Sequence, residues 1–117
     1  MANQVVEQAA MEQVMAHYRG LGFTVTDVSA HKCGWDVTCT ALDHGELHVE
    51  VKGISGPQAA FLLTANEYRT AAADSCWRLA AVTDVLGSRP TITVLTGAEV
   101  VTGSRPIVYE YRPHVGD

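Results

Sequence analysis

Apolar and polar residues alternate with period two from Trp35 to Leu42 and again from Glu46 to Lys52. Trp35, Val37, Cys39 and Ala41 alternate with Asp36, Thr38 and Thr40, and Leu47, Val49 and Val51 with Glu46, His48, Glu50 and Lys52. Successive strand side chains point to opposite faces, so each stretch predicts an amphipathic strand, and Asp43-His44-Gly45 between them predicts a tight turn. A hairpin centred near Asp43 sets Asp36 opposite Glu50, with Cβ atoms roughly 4.5–5.5 Å apart.

The remaining elements follow from the same kind of pattern. Asn3 to Arg19 lacks Gly and Pro and is rich in Ala, Glu, Gln and Met, which predicts a helix ended by Gly20-Leu21-Gly22. Glu7, Met11, Val14, Tyr18 and Leu21 fall at helical spacing and predict one stripe. Phe23 to Val28 reads as a short strand, followed by a loop from Ser29 to Gly34. After the hairpin, Gly53-Ile54-Ser55-Gly56-Pro57 breaks the pattern, a connection placed where it could also follow a phosphate backbone. Phe61-Leu62-Leu63 is a short apolar run. Thr64-Ala65-Asn66-Glu67 has the form of a capping box and predicts a helix to about Asp74, with a potential anion site at its start. Trp77 to Thr83 and Thr91 to Leu95 predict two more strands, and Pro106 to Arg112 a last edge strand. This order predicts an α/β fold, a mixed sheet flanked by helices, as one domain over residues 1–117.

Composition narrows the setting. The first thirty residues contain neither a signal-peptide pattern nor an apolar stretch of membrane-spanning length, so the expectation is a cytoplasmic protein with no membrane association. Three cysteines, Cys33, Cys39 and Cys76, form no CxxC pair and fit a reducing compartment. His31, Cys33, Cys39, His44 and His48 cluster in sequence, but their spacings match no common zinc finger or ribbon. The formal net charge of −5 runs against the basic footprint of a nucleic-acid binder, leaving Lys32, Lys52, Arg69, Arg78 and Arg89 as the cations that could gather on one face.

The candidate chemistry lies on the hairpin. Charged residues alternating along a strand ordinarily form a solvated face, but Val49 and Val51 flank Glu50, and the segment to Gly53 is the most apolar part of its neighbourhood. Two opposed carboxylates need a counter-charge, which a divalent cation with oxygen preference supplies: Mg²⁺, with Mn²⁺ able to substitute. Lys52, on the same face as Glu50, could orient or deprotonate an attacking water or stabilise charge in the transition state. Glu7 has two readings: an acid pointing into that metal site, or an exposed first-turn acid favoured by the helix dipole. Gln58, Thr64 and Asn66 are either auxiliary polar groups of the site or structural residues, Gln58 and Asn66 as loop or helix-surface positions and Thr64, with Glu67, as the capping box.

These residues resemble the PD-(D/E)XK restriction-endonuclease-like superfamily. The resemblance implies a core of helix, three-stranded meander, helix and strand. It also implies roles: Asp36 and Glu50 as the motif acids, Lys52 as its lysine, Val51 as a backbone-carbonyl ligand and Glu7 as the additional helix acid. More narrowly, Gly34-Trp35-Asp36-Val37, Val49-Glu50-Val51-Lys52-Gly53 and Leu63-Thr64-Ala65-Asn66-Glu67-Tyr68 resemble, in order, three signatures of the NO VEIN C-terminal-type domain. Trp35 stands where the superfamily's name has proline.

What the resemblance implies is a Mg²⁺-dependent DNA nuclease hydrolysing phosphodiester bonds, in restriction or defence against foreign DNA. Because members are usually fused to helicase, ATPase or target-reading modules, a partner protein or fused recognition module is expected to supply DNA recognition. Two alternatives stay open. One is a catalytically weak module of the same fold that binds or regulates a protein partner, and the other is a structure-selective DNA resolvase working as a homodimer.

Overall fold

The computed structural model describes residues 4–107, in which five strands form one mixed sheet between helices on both faces. In chain order the elements are α1 (Gln4–Gly20), β1 (Thr24–Asp27), β2 (Val37–Ala41), β3 (Gly45–Gly53), α2 (Ala65–Ala73), β4 (Trp77–Thr83), β5 (Thr91–Thr96) and α3 (Gly97–Gly103), with a 3-10 turn at Ser29–His31. The sheet runs β1-β2-β3-β4-β5; β3 and β4 are parallel and the other neighbours antiparallel.

The hairpin has the register that its alternation predicts. Val37 pairs with Val49 and Ala41 with Gly45, and one further step along that ladder sets Asp36 against Glu50. The turn is one residue earlier than expected. Leu42, Asp43 and His44 form it, and Gly45 opens β3 in the left-handed region at φ +70°, the usual close of a three-residue hairpin loop.

Alternation also sorts the core. Val37, Cys39, Val49, Ala80 and Val82 pack under α1, whereas Trp77, Leu79 and Ala81 pack under α2 and α3 with Ala71 and Val100. Both faces of β4 are therefore covered, which is why almost its whole length is apolar. Truncating a fully buried side chain such as Leu79 to alanine costs about 2–5 kcal/mol.

The α1 stripe departs from expectation at both ends. Ala10, Val14 and Tyr18 are the buried positions, Val6 and Met11 pack beside them, and Glu7 is exposed. Leu21 is 58% exposed. The helix stops at Gly20, and Gly22 at φ +94° turns the chain away before Leu21 can rejoin the stripe. Pairing of α1 with the sheet is tight at Gly53, where a Cβ would lie 2.9 Å from the Val6 carbonyl oxygen and from the Ala10 Cβ.

One further element departs from expectation. Gly97–Gly103 is a helix where no element is predicted, and its start, Thr96-Gly97-Ala98-Glu99, repeats the capping pattern of Thr64 to Glu67. The expected edge strand from Pro106 to Arg112 lies largely outside the described residues, and Pro106 and Ile107 carry no regular structure. Among the described residues no helix is long and apolar enough to cross a membrane.

Candidate functional site

Asp36 is fixed before its side chain is considered. Its N–H donates to the Val49 carbonyl at 2.9 Å, and its own carbonyl accepts the Val28 N–H at 2.8 Å. The carboxylate then turns along the hairpin, where Oδ2 accepts the Val51 N–H at 2.9 Å. The neighbours in its signature hold this geometry. Gly34 sits at φ +103°, and a Cβ there would lie 2.4 Å from the Thr70 hydroxyl of α2, so only glycine allows this approach. Its carbonyl accepts the Trp77 indole N–H at 2.9 Å. The Trp35 ring stacks on His48 with centroids 4.0 Å apart, and His48 bridges Asp74 and Glu46 at 2.5 Å each. Burial opposes charge on His48, but its bonds to Asp74 and Glu46 outweigh it and raise the pKa.

Glu50 and Lys52 lie side by side with Leu79 and Ala81 of β4, on the face covered by α2. Glu50 is only 4% exposed. Burial first, then the neighbouring charges of Asp36 and Glu67, push its pKa up to about 9. Burial also raises Asp36, against the bond from Val51. Lys52 Nζ lies 3.4 Å from Glu50 Oε2 and 3.0 Å from Glu67 Oε1. Burial works to lower its pKa, yet the two acids outweigh that and raise it.

Glu67 is the site residue that the sequence did not single out for chemistry. Desolvation of its carboxylate is outweighed by bonds from the Thr64 N–H and from Lys52, which leave its pKa lowered. The site thus sets three carboxyl groups against one ammonium. A cavity of about 390 Å³ opens onto it, lined by Asp36, Glu50, Val51, Lys52 and Gly53, by Glu7, Ala10 and Met11 of α1, and by Ser29 and Glu67.

Of the expected site residues, Asp36, Glu50, Val51, Lys52 and Glu7 meet at this cavity, with Glu7 contributing from the exposed side of α1. Gln58, Thr64 and Asn66 do not line it. All three are exposed; Thr64 caps α2, and the Asn66 carbonyl accepts the Thr70 hydroxyl. Among the described residues no three His, Cys, Asp or Glu side chains are spaced to hold a metal ion. Asp36 and Glu50 are the oxygen donors that could share a hard divalent cation with water.

A larger depression of about 480 Å³ between α2 and α3 includes Asp74 and Arg78 in its lining. Both charges are already engaged, Asp74 with His48 and Arg78 with the carbonyls of Ser75 and Trp77. The cysteines are free thiols, and burial pushes Cys39 up to about 11, which makes it an inert core residue.

No curated protein and no solved structure matches the chain. A family model does, that of Protein NO VEIN, C-terminal, over residues 6–95. The match runs from α1 into β5 and takes in Asp36, Glu50, Lys52 and Glu67, and the chain belongs to the NO VEIN C-terminal family.

Proposed function

We propose that this chain is a divalent-cation-dependent deoxyribonuclease of the PD-(D/E)XK type, acting in restriction or defence against foreign DNA. The observation that carries the reading is the shortage of positive charge at the cavity, where the carboxyl groups of Asp36, Glu50 and Glu67 meet the single ammonium of Lys52, and burial with the neighbouring acids pushes Glu50 up to about 9. A hard cation relieves that shortage, and two carboxyl groups at an open cavity suit an ion that retains several waters. Asp36 and Glu50 would hold it, joined by the Val51 carbonyl, with Glu7 on the cavity wall beside them.

Bound there, Mg²⁺ or Mn²⁺ would supply Lewis-acid polarisation of a phosphate oxygen and a bound water more acidic than bulk water. The chain's own residues do the rest. Asp36, clamped by the Val51 N–H, keeps its carboxylate in one orientation. Lys52 places an ammonium beside Glu50, where it can donate to the attacking water or to charge developing on the phosphate. With a net charge of −5, affinity for duplex DNA comes from a partner protein or fused module.

Plasmid incubated with the protein and Mg²⁺ or Mn²⁺ should be cleaved, and Asp36→Ala and Lys52→Ala should abolish cleavage. Equal activity in all three, or none in wild type with its partner present, rejects the reading. The same net charge favours a second reading, a nuclease-fold module that regulates a protein partner without catalysis. It predicts no heat of cation binding in calorimetry.

A further inference from the structure

The signature from Leu63 to Tyr68 carries an acid whose placement exceeds its local duty. Glu67 Oε1 accepts the Thr64 N–H at 3.0 Å, completing the cap of α2, and the same oxygen accepts from Lys52 Nζ at 3.0 Å. Lys52 is nearer to Glu67 than to Glu50, which it meets at 3.4 Å. We infer that Glu67 is the positioning residue of the site: its carboxylate anchors the Lys52 ammonium and draws it off Glu50.

Three features of the structure converge on this role. The Thr64 hydroxyl and N–H hold the Glu67 backbone and carboxylate in one place, so Lys52 is anchored to a fixed point instead of a free side chain. A lysine stem has four rotatable bonds, and a single acid at 3.4 Å leaves the ammonium free to swing. A second carboxylate at 3.0 Å defines its direction. Glu50, relieved of forming Lys52's closer ion pair, keeps its carboxyl available to the cavity.

The molecule contains its own control. Thr96 and Glu99 build the same capping box on α3, with Thr96 N–H to Glu99 Oε1 at 2.9 Å and Glu99 N–H to Thr96 Oγ1 at 3.1 Å. Glu99 is exposed, and among the described residues no lysine pairs with it.

The inference rests on the nuclease reading for its catalytic meaning, so two readouts keep the ideas apart. The first is the ¹H–¹⁵N cross-peak of the Lys52 ammonium at low temperature and mildly acidic pH, visible only when the group is held and shielded from exchange. It should be present in wild type and Glu99→Ala and lost in Glu67→Ala and Glu67→Gln. The second is plasmid cleavage, expected to fall about 10- to 100-fold in both Glu67 variants and to stay at the wild-type level in Glu99→Ala. Glu67→Gln retains an oxygen that can cap α2, so it covers the case in which Glu67→Ala does not fold.

A Lys52 cross-peak unchanged in Glu67→Gln overturns the inference. So does Glu67→Gln cleavage at the wild-type rate, because the residue would then be a cap alone. A wild type that does not cleave with its partner present rejects the nuclease reading, and the cross-peak still decides whether Glu67 holds Lys52.

Discussion

At the start of α2, the Glu67 N–H donates to Thr64 Oγ1 at 3.1 Å and the Thr64 N–H to Glu67 Oε1 at 3.0 Å; at the start of α3 the corresponding distances are 3.1 and 2.9 Å. Locally the two helix starts are the same structure. They differ in what lies across from them. Glu99 faces solvent, and its pKa is lowered by the Thr96 bonds alone. Glu67 faces β3, and its lowered pKa depends on Lys52 as well as on Thr64. A capping motif therefore specifies where a helix begins, while the tertiary neighbour decides whether its acid also serves a site.

The largest break in the comparison comes from removing the neighbour. Lys52→Ala should lower DNA cleavage by about 10²- to 10⁴-fold, whereas removing the acid of the α3 cap leaves it unchanged; plasmid assays with both variants decide this.

Proton linkage gives the next largest contrast. Glu50 has a folded pKa of about 9 against an ordinary 4.5, so folding takes up a proton between those values. The stability it contributes is complete below pH 4.5 and is lost as pH rises toward 9, by up to about 1.4 kcal/mol per pH unit. Glu99, with a lowered pKa, acts in the opposite sense, and its contribution is lost as pH falls below the usual carboxylate range. Urea unfolding across this range should show the wild-type slope flattened in Glu50→Gln. Added Mg²⁺ should restore alkaline stability to wild type and leave Glu50→Gln unmoved.

A double-mutant cycle of Glu67→Gln with Lys52→Met should give a coupling of about 1–3 kcal/mol in unfolding free energy. The cycle of Glu99→Gln with Lys52→Met should give none. The smallest difference lies in the caps themselves. Thr64→Ala and Thr96→Ala should each lower stability by about 1 kcal/mol, and only Thr64→Ala should also slow cleavage, by loosening Glu67.

What was legible in the sequence was whatever neighbouring residues encode. Period-two alternation around a short turn specified the pairing that brings Asp36 toward Glu50, because a slip of one residue would have turned every valine to the wrong face. The capping box from Thr64 to Glu67 specified where α2 begins. Leu21 misled because helical spacing continues in the sequence past Gly20, where the helix itself ends. The α3 helix escaped notice although Thr96 and Glu99 carry the signal that revealed α2; seven residues ending in Gly103 offer too short a stripe to read. The meeting of Glu67 with Lys52 had no local signal, since it depends on how closely α2 settles on the sheet. That closeness is set by Gly34 making room for Thr70 and by the tie from His48 to Asp74 at the end of α2.

The parallel pairing of β3 with β4, from His48 against Trp77 to Gly53 against Val82, carries a topological consequence. Adjacent parallel strands cannot be joined by a hairpin; the chain must return along the length of the sheet before the second strand begins. Residues 54–76 make that crossing, and α2 lies within it. The carboxylate that meets Lys52 is therefore delivered by the connection that β3 and β4 require, so a change in the length of this crossing alters the site without touching a residue of the hairpin.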